Sequence, residues 1–133
     1  MMFRLGTDIV YIPRIQASVE RFGDRFIERV YTPAEQLDCG RGKPLGRASI
    51  NKLAGRWAAK EAVVKALGTG WRGVGYTDIE ICSQKGMAPL VHLHGRAIIL
   101  VEASQGVEWQ LSLSHDGDYA IATALLIYKV VSG

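Results

Sequence analysis

The apolar positions along the chain change their spacing near its middle, and this change separates predicted helices from predicted strands. Residues 3–12 are apolar and β-branched enough for a first strand. After this strand, apolar residues recur every three or four positions, which is the period of an α-helix. The helical period, the turn residues and the capping signals predict helices at residues 13–22, 24–31, 32–38 and 49–67.

The second half of the chain alternates apolar and polar residues, as strands do. This alternation predicts strands at residues 78–82, 89–95, 107–115 and 119–128, and a short helix is predicted at 96–105. A strand, then helices, then paired strands is an order typical of the α+β class. We therefore expect one long central helix packed on a mainly antiparallel sheet.

Length and composition restrict the class of protein. The chain has 133 residues without a repeat or a linker, so we expect a single domain over residues 1–133. No apolar run approaches the roughly 18 residues of a membrane span, and the first residues lack the pattern of a signal peptide. Two distant cysteines, Cys39 and Cys82, do not make a disulfide framework, which favours a reduced cytoplasmic location.

The predicted long helix carries two charges where apolar residues are expected. On a helical wheel, Glu61 and Lys65 fall within the same arc as Leu53, Trp57 and Val64. An exposed pair of this spacing is common and is worth only about 0.2–0.5 kcal/mol. An unpaired charge on a buried face costs several kcal/mol, so these two residues would need a partner, a metal ion or an anionic ligand. The helix is therefore a candidate site for ionic chemistry.

Asp8 presents the same problem, because aspartate is disfavoured inside a strand. A bulge or turn at Asp8 is an equally good interpretation from this segment alone. If Asp8 and Glu61 converge, their carboxylates suit Mg²⁺, which takes one or two protein carboxylates and completes its shell with water and phosphate oxygens. Lys65, one helical turn after Glu61, would then hold a phosphate. This combination is typical of phosphoryl transfer.

The histidines give weaker signals. His92 and His94 share one face of a predicted strand, but no third metal ligand lies near them in sequence, so exposed strand residues are the simpler interpretation. His115 has the parity of core residues in its strand, which predicts a half-buried histidine at the strand end. An anion-binding role for His115 is the alternative.

Several segments of the chain resemble one known family. They are GTDIV at residues 6–10, FIERVYTPAE at 26–35, RWAAKEAVVKALGTG at 56–70 and SLSHDGDYAIA at 112–122. In this order they are similar to holo-(acyl carrier protein) synthase, the small trimeric type of 4′-phosphopantetheinyl transferase. The resemblance covers nearly the whole chain, and the long-helix block is its most specific part. It implies transfer of the 4′-phosphopantetheine arm of coenzyme A to a serine of apo-acyl carrier protein, with release of adenosine 3′,5′-bisphosphate.

The resemblance also implies roles for individual residues. Asp8 and Glu61 match the family's Mg²⁺ carboxylates, and Lys65 matches its lysine at the diphosphate. Arg56 and His115 match residues near the phosphates of coenzyme A. Two arginines of the first helix match the basic helix that docks the acidic carrier protein; they are Arg14 and Arg21. The family further implies a homotrimer.

The sequence departs from the family pattern at one turn. The family usually has G-K-P there, whereas this chain has GMAP at residues 86–89, so any phosphate contact by that lysine is lost. Two other functions remain open. One is a non-catalytic module that binds acidic proteins, since sparse aromatic residues among the arginines disfavour single-stranded nucleic acid. The other is a thioester-binding or thioester-hydrolysing enzyme, which would not need a diphosphate-bound metal.

Overall fold

The computed structural model describes residues 1–40, 46–102 and 105–129. Its elements follow the predicted order, and the α+β class is confirmed. They are β1 (Met2–Tyr11), α1 (Ile12–Phe22), α2 (Asp24–Val30), α3 (Pro33–Asp38), α4 (Arg47–Leu67), a short 3₁₀ turn (Tyr76–Asp78), β2 (Ile79–Gln84), β3 (Met87–Leu93), α5 (Gly95–Glu102), β4 (Gln105–Asp116) and β5 (Tyr119–Lys129). Residues 103–104 of the helix predicted at 96–105 lie outside the described part of the chain, and Gln105 begins β4 instead of ending the helix. Within that part, no helix is long and apolar enough to cross a membrane.

The strands form two sheets. A three-stranded antiparallel sheet has the order β1-β5-β4, and β2 pairs with β3 in a separate antiparallel hairpin. The expected antiparallel pairing is thus confirmed, but it is divided between two sheets. Lys85 and Gly86 make the turn of the β2–β3 hairpin, where Gly86 has the positive φ that a tight turn needs.

The long helix α4 is buried on most of its circumference. Residues that are fully or almost fully buried point in every direction around its axis: Ile50, Leu53, Ala54, Arg56, Ala58, Ala59, Lys60, Ala62, Val63, Val64 and Ala66. The helix packs against β1, β2, β4, β5 and α1. A single buried arc was therefore too narrow a prediction, because a central helix has no fully solvated side.

The inner face of β1 approaches α4 unusually closely. A side chain at Gly6 would place its Cβ atom 1.9 Å from the carbonyl oxygen of Ala62 and 2.8 Å from the backbone nitrogen of Ala66. Only glycine fits this position, for reasons of space. Because side chains alternate along a strand, Asp8 and Val10 point toward α4 together with Gly6.

The outer face of the three-stranded sheet is apolar on β1 and β5. Large hydrophobic side chains that share this face are exposed: Phe3, Leu5, Ile9, Tyr11, Tyr119 and Ile121. On the neighbouring strand β4, the outward positions are polar, as at Gln110, Ser112 and Ser114. The sheet therefore presents an apolar surface that is bounded on one side by a polar strand.

A buried ion pair fastens α3 to α4 and β2. Lys60 and Glu35 are both fully buried, and Lys60 Nζ lies 2.7 Å from Glu35 Oε1. Lys60 also donates to the carbonyl oxygens of Tyr76 and Ile79, so all three protons of its ammonium group have acceptors. Burial lowers the pKa of Lys60 from its usual value, and the Glu35 carboxylate opposes this effect. The sequence interpretation did not include this pair.

Candidate active site

Asp8 and Lys65 form an ion pair where β1 faces α4. Lys65 Nζ lies 3.1 Å from Asp8 Oδ1 and donates a second hydrogen bond to the carbonyl oxygen of Thr7 at 2.9 Å. The Asp8 side chain is 17% exposed, whereas that of Lys65 is 54% exposed. The prediction that Lys65 lies on the buried face of α4 was wrong. Its methylene chain leaves the helix near the packed strand and its charged end reaches solvent.

Glu61 is half-buried, and aromatic side chains hold both of its carboxylate oxygens. Tyr76 donates its phenolic hydroxyl to Oε1 at 2.9 Å, and the Trp71 indole nitrogen donates to Oε2 at 3.3 Å. The two rings stack with their centroids 3.9 Å apart, and Trp57 continues the stack on the other side of Tyr76. The stack fixes the rotamer of Glu61. The sequence interpretation missed both partners, which lie in the segment after α4.

Both candidate carboxylates, Asp8 and Glu61, affect the pKa of Tyr76. Burial, then the hydrogen bond and charge of Glu61, and finally the charge of Asp8 raise the pKa of Tyr76 well above its usual value. Tyr76 therefore keeps its proton and remains a hydrogen-bond donor to Glu61. Each carboxylate oxygen accepts more than one bond, so Asp8 and Glu61 retain lone pairs for a hard cation after these contacts.

Arg56 and His115 line one cavity of about 200 Å³ between α4 and the end of β4, together with Lys52, Gly55 and Ser114. Arg56 is buried and binds Asp38 at 3.3 Å and the Ser83 hydroxyl, while its Nε atom has no partner among the described residues. His115 is exposed, so the prediction of a half-buried histidine was wrong. The predicted inward side of the strand was correct, but His115 is at the open end of this side and lines the cavity. The cavity therefore collects cationic and polar donors of the kind that bind phosphate.

Arg14 and Arg21 are exposed on α1, which begins directly after the strand that carries Asp8. About two helical turns separate them, so they lie on one face of this helix. The guanidinium group of Arg21 lies 5.1 Å from the centre of the Phe22 ring. Phe22 in turn lines a cavity of about 340 Å³ with Arg25, Phe26 and Arg29. The helices α1 and α2 thus present a basic surface with apolar positions in it.

Comparisons with known proteins identify the family of the chain. The sequence model of the 4′-phosphopantetheinyl transferase superfamily matches residues 4–124. A holo-[acyl-carrier-protein] synthase of Gloeobacter violaceus is 56% identical over 126 residues, which cover 95% of this chain and 93% of the relative. The chain belongs to the holo-[acyl-carrier-protein] synthase family of this superfamily.

Solved structures of the family match the fold closely. An ACPS–CoA complex of Chronobacterium ammoniagenes is 35% identical and has a TM-score of 0.80, covering 97% of this chain and 99% of that one. A Helicobacter pylori holo-[acyl-carrier-protein] synthase in complex with coenzyme A is 31% identical and has a TM-score of 0.74, covering 94% and 99%. The family resemblance of the motifs and the predicted arrangement of helix and sheet are therefore confirmed.

Proposed function

We propose that this chain transfers the 4′-phosphopantetheine arm of coenzyme A to a serine of apo-acyl carrier protein and releases adenosine 3′,5′-bisphosphate. The observation that carries the proposal is the Asp8–Lys65 ion pair between β1 and α4, with Glu61 one helical turn before Lys65 on the same helix. It supplies two carboxylates and one cation at a partly exposed position in a chain of this family. We take residues 1–133 as a single catalytic domain that acts in the cytoplasm.

The carboxylates fit the family's Mg²⁺. Both ligands offer hard oxygen atoms, and two protein carboxylates with open positions are the usual protein share of a magnesium site. Asp8 and Glu61 would hold the ion, and Trp71 and Tyr76 would keep Glu61 oriented through their hydrogen bonds. When bound, Mg²⁺ would supply the charge that neutralises the diphosphate of coenzyme A.

Lys65 has a free donor for the reacting diphosphate. Its ammonium group carries three protons, of which two are directed to Asp8 and Thr7. The third points away from these acceptors on a side chain that is more than half exposed. Lys65 Nζ would stabilise or protonate the departing phosphate oxygen, and Asp8 would accept the proton of the carrier serine through a water molecule.

Arg56 and His115 would bind the nucleotide part of coenzyme A. The Nε atom of buried Arg56 has no partner among the described residues, and an incoming phosphate oxygen would satisfy this donor, whose unpaired burial costs about 1–3 kcal/mol. His115 adds a ring N–H donor at the exposed rim of the same cavity. A phosphate held there by both residues would position the diphosphate relative to Lys65 farther along α4.

Arg14 and Arg21 would dock the acidic carrier protein. Both are exposed and both belong to the basic surface of α1 and α2. Such charges mainly accelerate association, and their effect decreases as salt screens them. The apolar outer face of β1 and β5 is a candidate interface between proteins, and it would serve the homotrimer that the family resemblance implies.

A mass measurement tests the proposal. The protein is incubated with coenzyme A, Mg²⁺ and an apo-acyl carrier protein, and the carrier should gain the mass of one phosphopantetheine arm. Glu61→Gln should abolish the gain at ordinary Mg²⁺ concentrations, whereas the exposed control Glu108→Gln should not. Full activity of Glu61→Gln would remove Glu61 from the mechanism. Binding of the carrier without a mass gain would instead favour a non-catalytic module for acidic partner proteins.

A further inference from the structure

A second group of metal-ligating side chains lies on the β2–β3 hairpin. One oxygen of Glu80, the sulfur of Cys82 and one ring nitrogen of His92 all lie within 4.8 Å of one another. The strand register explains this convergence. Glu80 and His92 are direct partners across the hairpin, and Cys82 is two residues after Glu80 and therefore on the same face.

The opposite face of β2 fixes this group in place. Ile79 and Ile81 alternate with Glu80 and Cys82 and are fully buried in the core. The hairpin therefore cannot rotate, and its ligating side chains must point outward from the core. This placement brings His92 next to residues ten and twelve positions earlier in sequence, which is why the strand pattern alone gave His92 no ligand partner.

We propose that Glu80, Cys82 and His92 form a site for a divalent transition metal, best suited to Zn²⁺. Zinc binds thiolate, imidazole and carboxylate ligands in a tetrahedral arrangement, whereas Mg²⁺ requires oxygen ligands in an octahedron. Zinc–ligand bonds of about 2.0–2.3 Å place ligand atoms roughly 3.5 Å apart, so a rotamer adjustment of about 1 Å would close the site. Three protein ligands leave the fourth position for water or an external ligand.

Neighbouring side chains already orient the carboxylate. Thr32 donates its hydroxyl to Glu80 Oε2, and His94 Nε2 lies 3.2 Å from Glu80 Oε1. The Cys82 sulfur lies 3.7 Å from the same Oε1 atom. The Glu80 side chain is only 13% exposed. Second contacts of this kind fix the direction of a metal ligand, so His94 acts as a positioning residue for Glu80.

The sulfur ligand makes this site distinguishable from the one at Asp8 and Glu61. The chain has two cysteines, and Cys39 is only 2% exposed in the core. A metal–thiolate signal would therefore report on Cys82.

Cobalt substitution tests the proposal on the full-length protein. The protein is stripped with a chelator, Mg²⁺ is added in excess to occupy oxygen-only sites, and Co²⁺ is titrated in while the thiolate-to-cobalt absorption band is recorded. We expect one equivalent of Co²⁺ to produce the band and Zn²⁺ to remove it by displacement. Cys82→Ser should abolish the band. His94→Gln should lower the Co²⁺ affinity about tenfold, and His92→Gln should lower it further.

Two control variants replace the cysteine and the histidine that lie outside the proposed site. Cys39→Ser and His115→Gln should keep the band and the Co²⁺ affinity. A second measurement does not depend on variants: Zn²⁺ should slow alkylation of Cys82, and Mg²⁺ should not. Absence of the band in the wild-type protein, its persistence in Cys82→Ser, or alkylation of Cys82 that is indifferent to Zn²⁺ would overturn the site. None of these results depends on the transferase activity.

Discussion

Replacement of Gly6 by alanine should destabilise the protein and displace Asp8. The new Cβ atom would lie 1.9 Å from the Ala62 carbonyl oxygen, whereas ordinary contact begins at 3.4 Å, so β1 would have to move outward by about 1.5 Å. Both nearest atoms belong to the backbone of α4 and cannot rotate away. Overpacking costs typically about 1–3 kcal/mol, and we expect about 3 kcal/mol here. For a chain of this length, that loss lowers Tm by roughly 10 °C.

The same substitution at Gly55 is the matched control. An added Cβ atom at Gly55 meets nothing within 4 Å, and this position lies inside α4. Alanine is favoured over glycine in a helix by about 1 kcal/mol, so Gly55→Ala should raise Tm by a few degrees. Thermal unfolding followed by circular dichroism at one protein concentration measures both variants. A Tm of Gly6→Ala within about 2 °C of wild type would refute the argument that β1 and α4 need a glycine between them.

Lys60→Met should lower the free energy of unfolding by about 3–5 kcal/mol, because it leaves the Glu35 carboxylate buried without a counter-ion. In the same urea unfolding experiment, the exposed control Lys52→Met should change this free energy by less than about 0.5 kcal/mol. Similar losses in both variants would contradict this role of the ion pair. Burial raises the pKa of the Cys39 thiol from 9.0 to about 11, so the folded state favours the neutral thiol. This preference contributes about 2–3 kcal/mol to the free energy of unfolding below pH 9, and the contribution is lost as the pH rises to about 11. Urea unfolding at about pH 8 and pH 11 should show this loss in wild type and a smaller one in Cys39→Ala; equal losses would exclude the thiol as the cause. Leu5→Glu, on the apolar outer face of β1, should convert the proposed trimer to monomers in sedimentation experiments, and a trimer that survives this change would place the interface elsewhere.

The local pattern of the sequence predicted the elements well, because the helical period and strand alternation are properties of neighbouring residues. Gly68, for example, ends α4 in a left-handed conformation, as the sequence indicates. The pattern also assigned His115 to the inner face of β4. It did not predict the exposure of His115, since that depends on the cavity between β4 and α4, which only the assembled fold creates.

The charged residues of α4 show the same limit. A wheel with one buried arc assigned Lys65 to the interior, although its end reaches solvent, and it gave no role to Lys60, which is fully buried. The burial of Lys60 follows from packing on several sides of α4, and its partner Glu35 comes from α3. Glu61 is bound by Trp71 and Tyr76, and both of these partners likewise come from a segment without a periodic pattern. Long-range partners of a charge are set by the assembled fold.

The hydrogen bond from Trp71 to Glu61 gives the protein an internal optical probe. An indole whose N–H is held by a carboxylate changes its emission when the charge on that carboxylate is neutralised, and Trp71 is in this position. Trp57 belongs to the same stack, while the Trp109 indole nitrogen has no partner in the described part of the chain. Emission from Trp71 therefore offers a label-free record of ions arriving at Glu61.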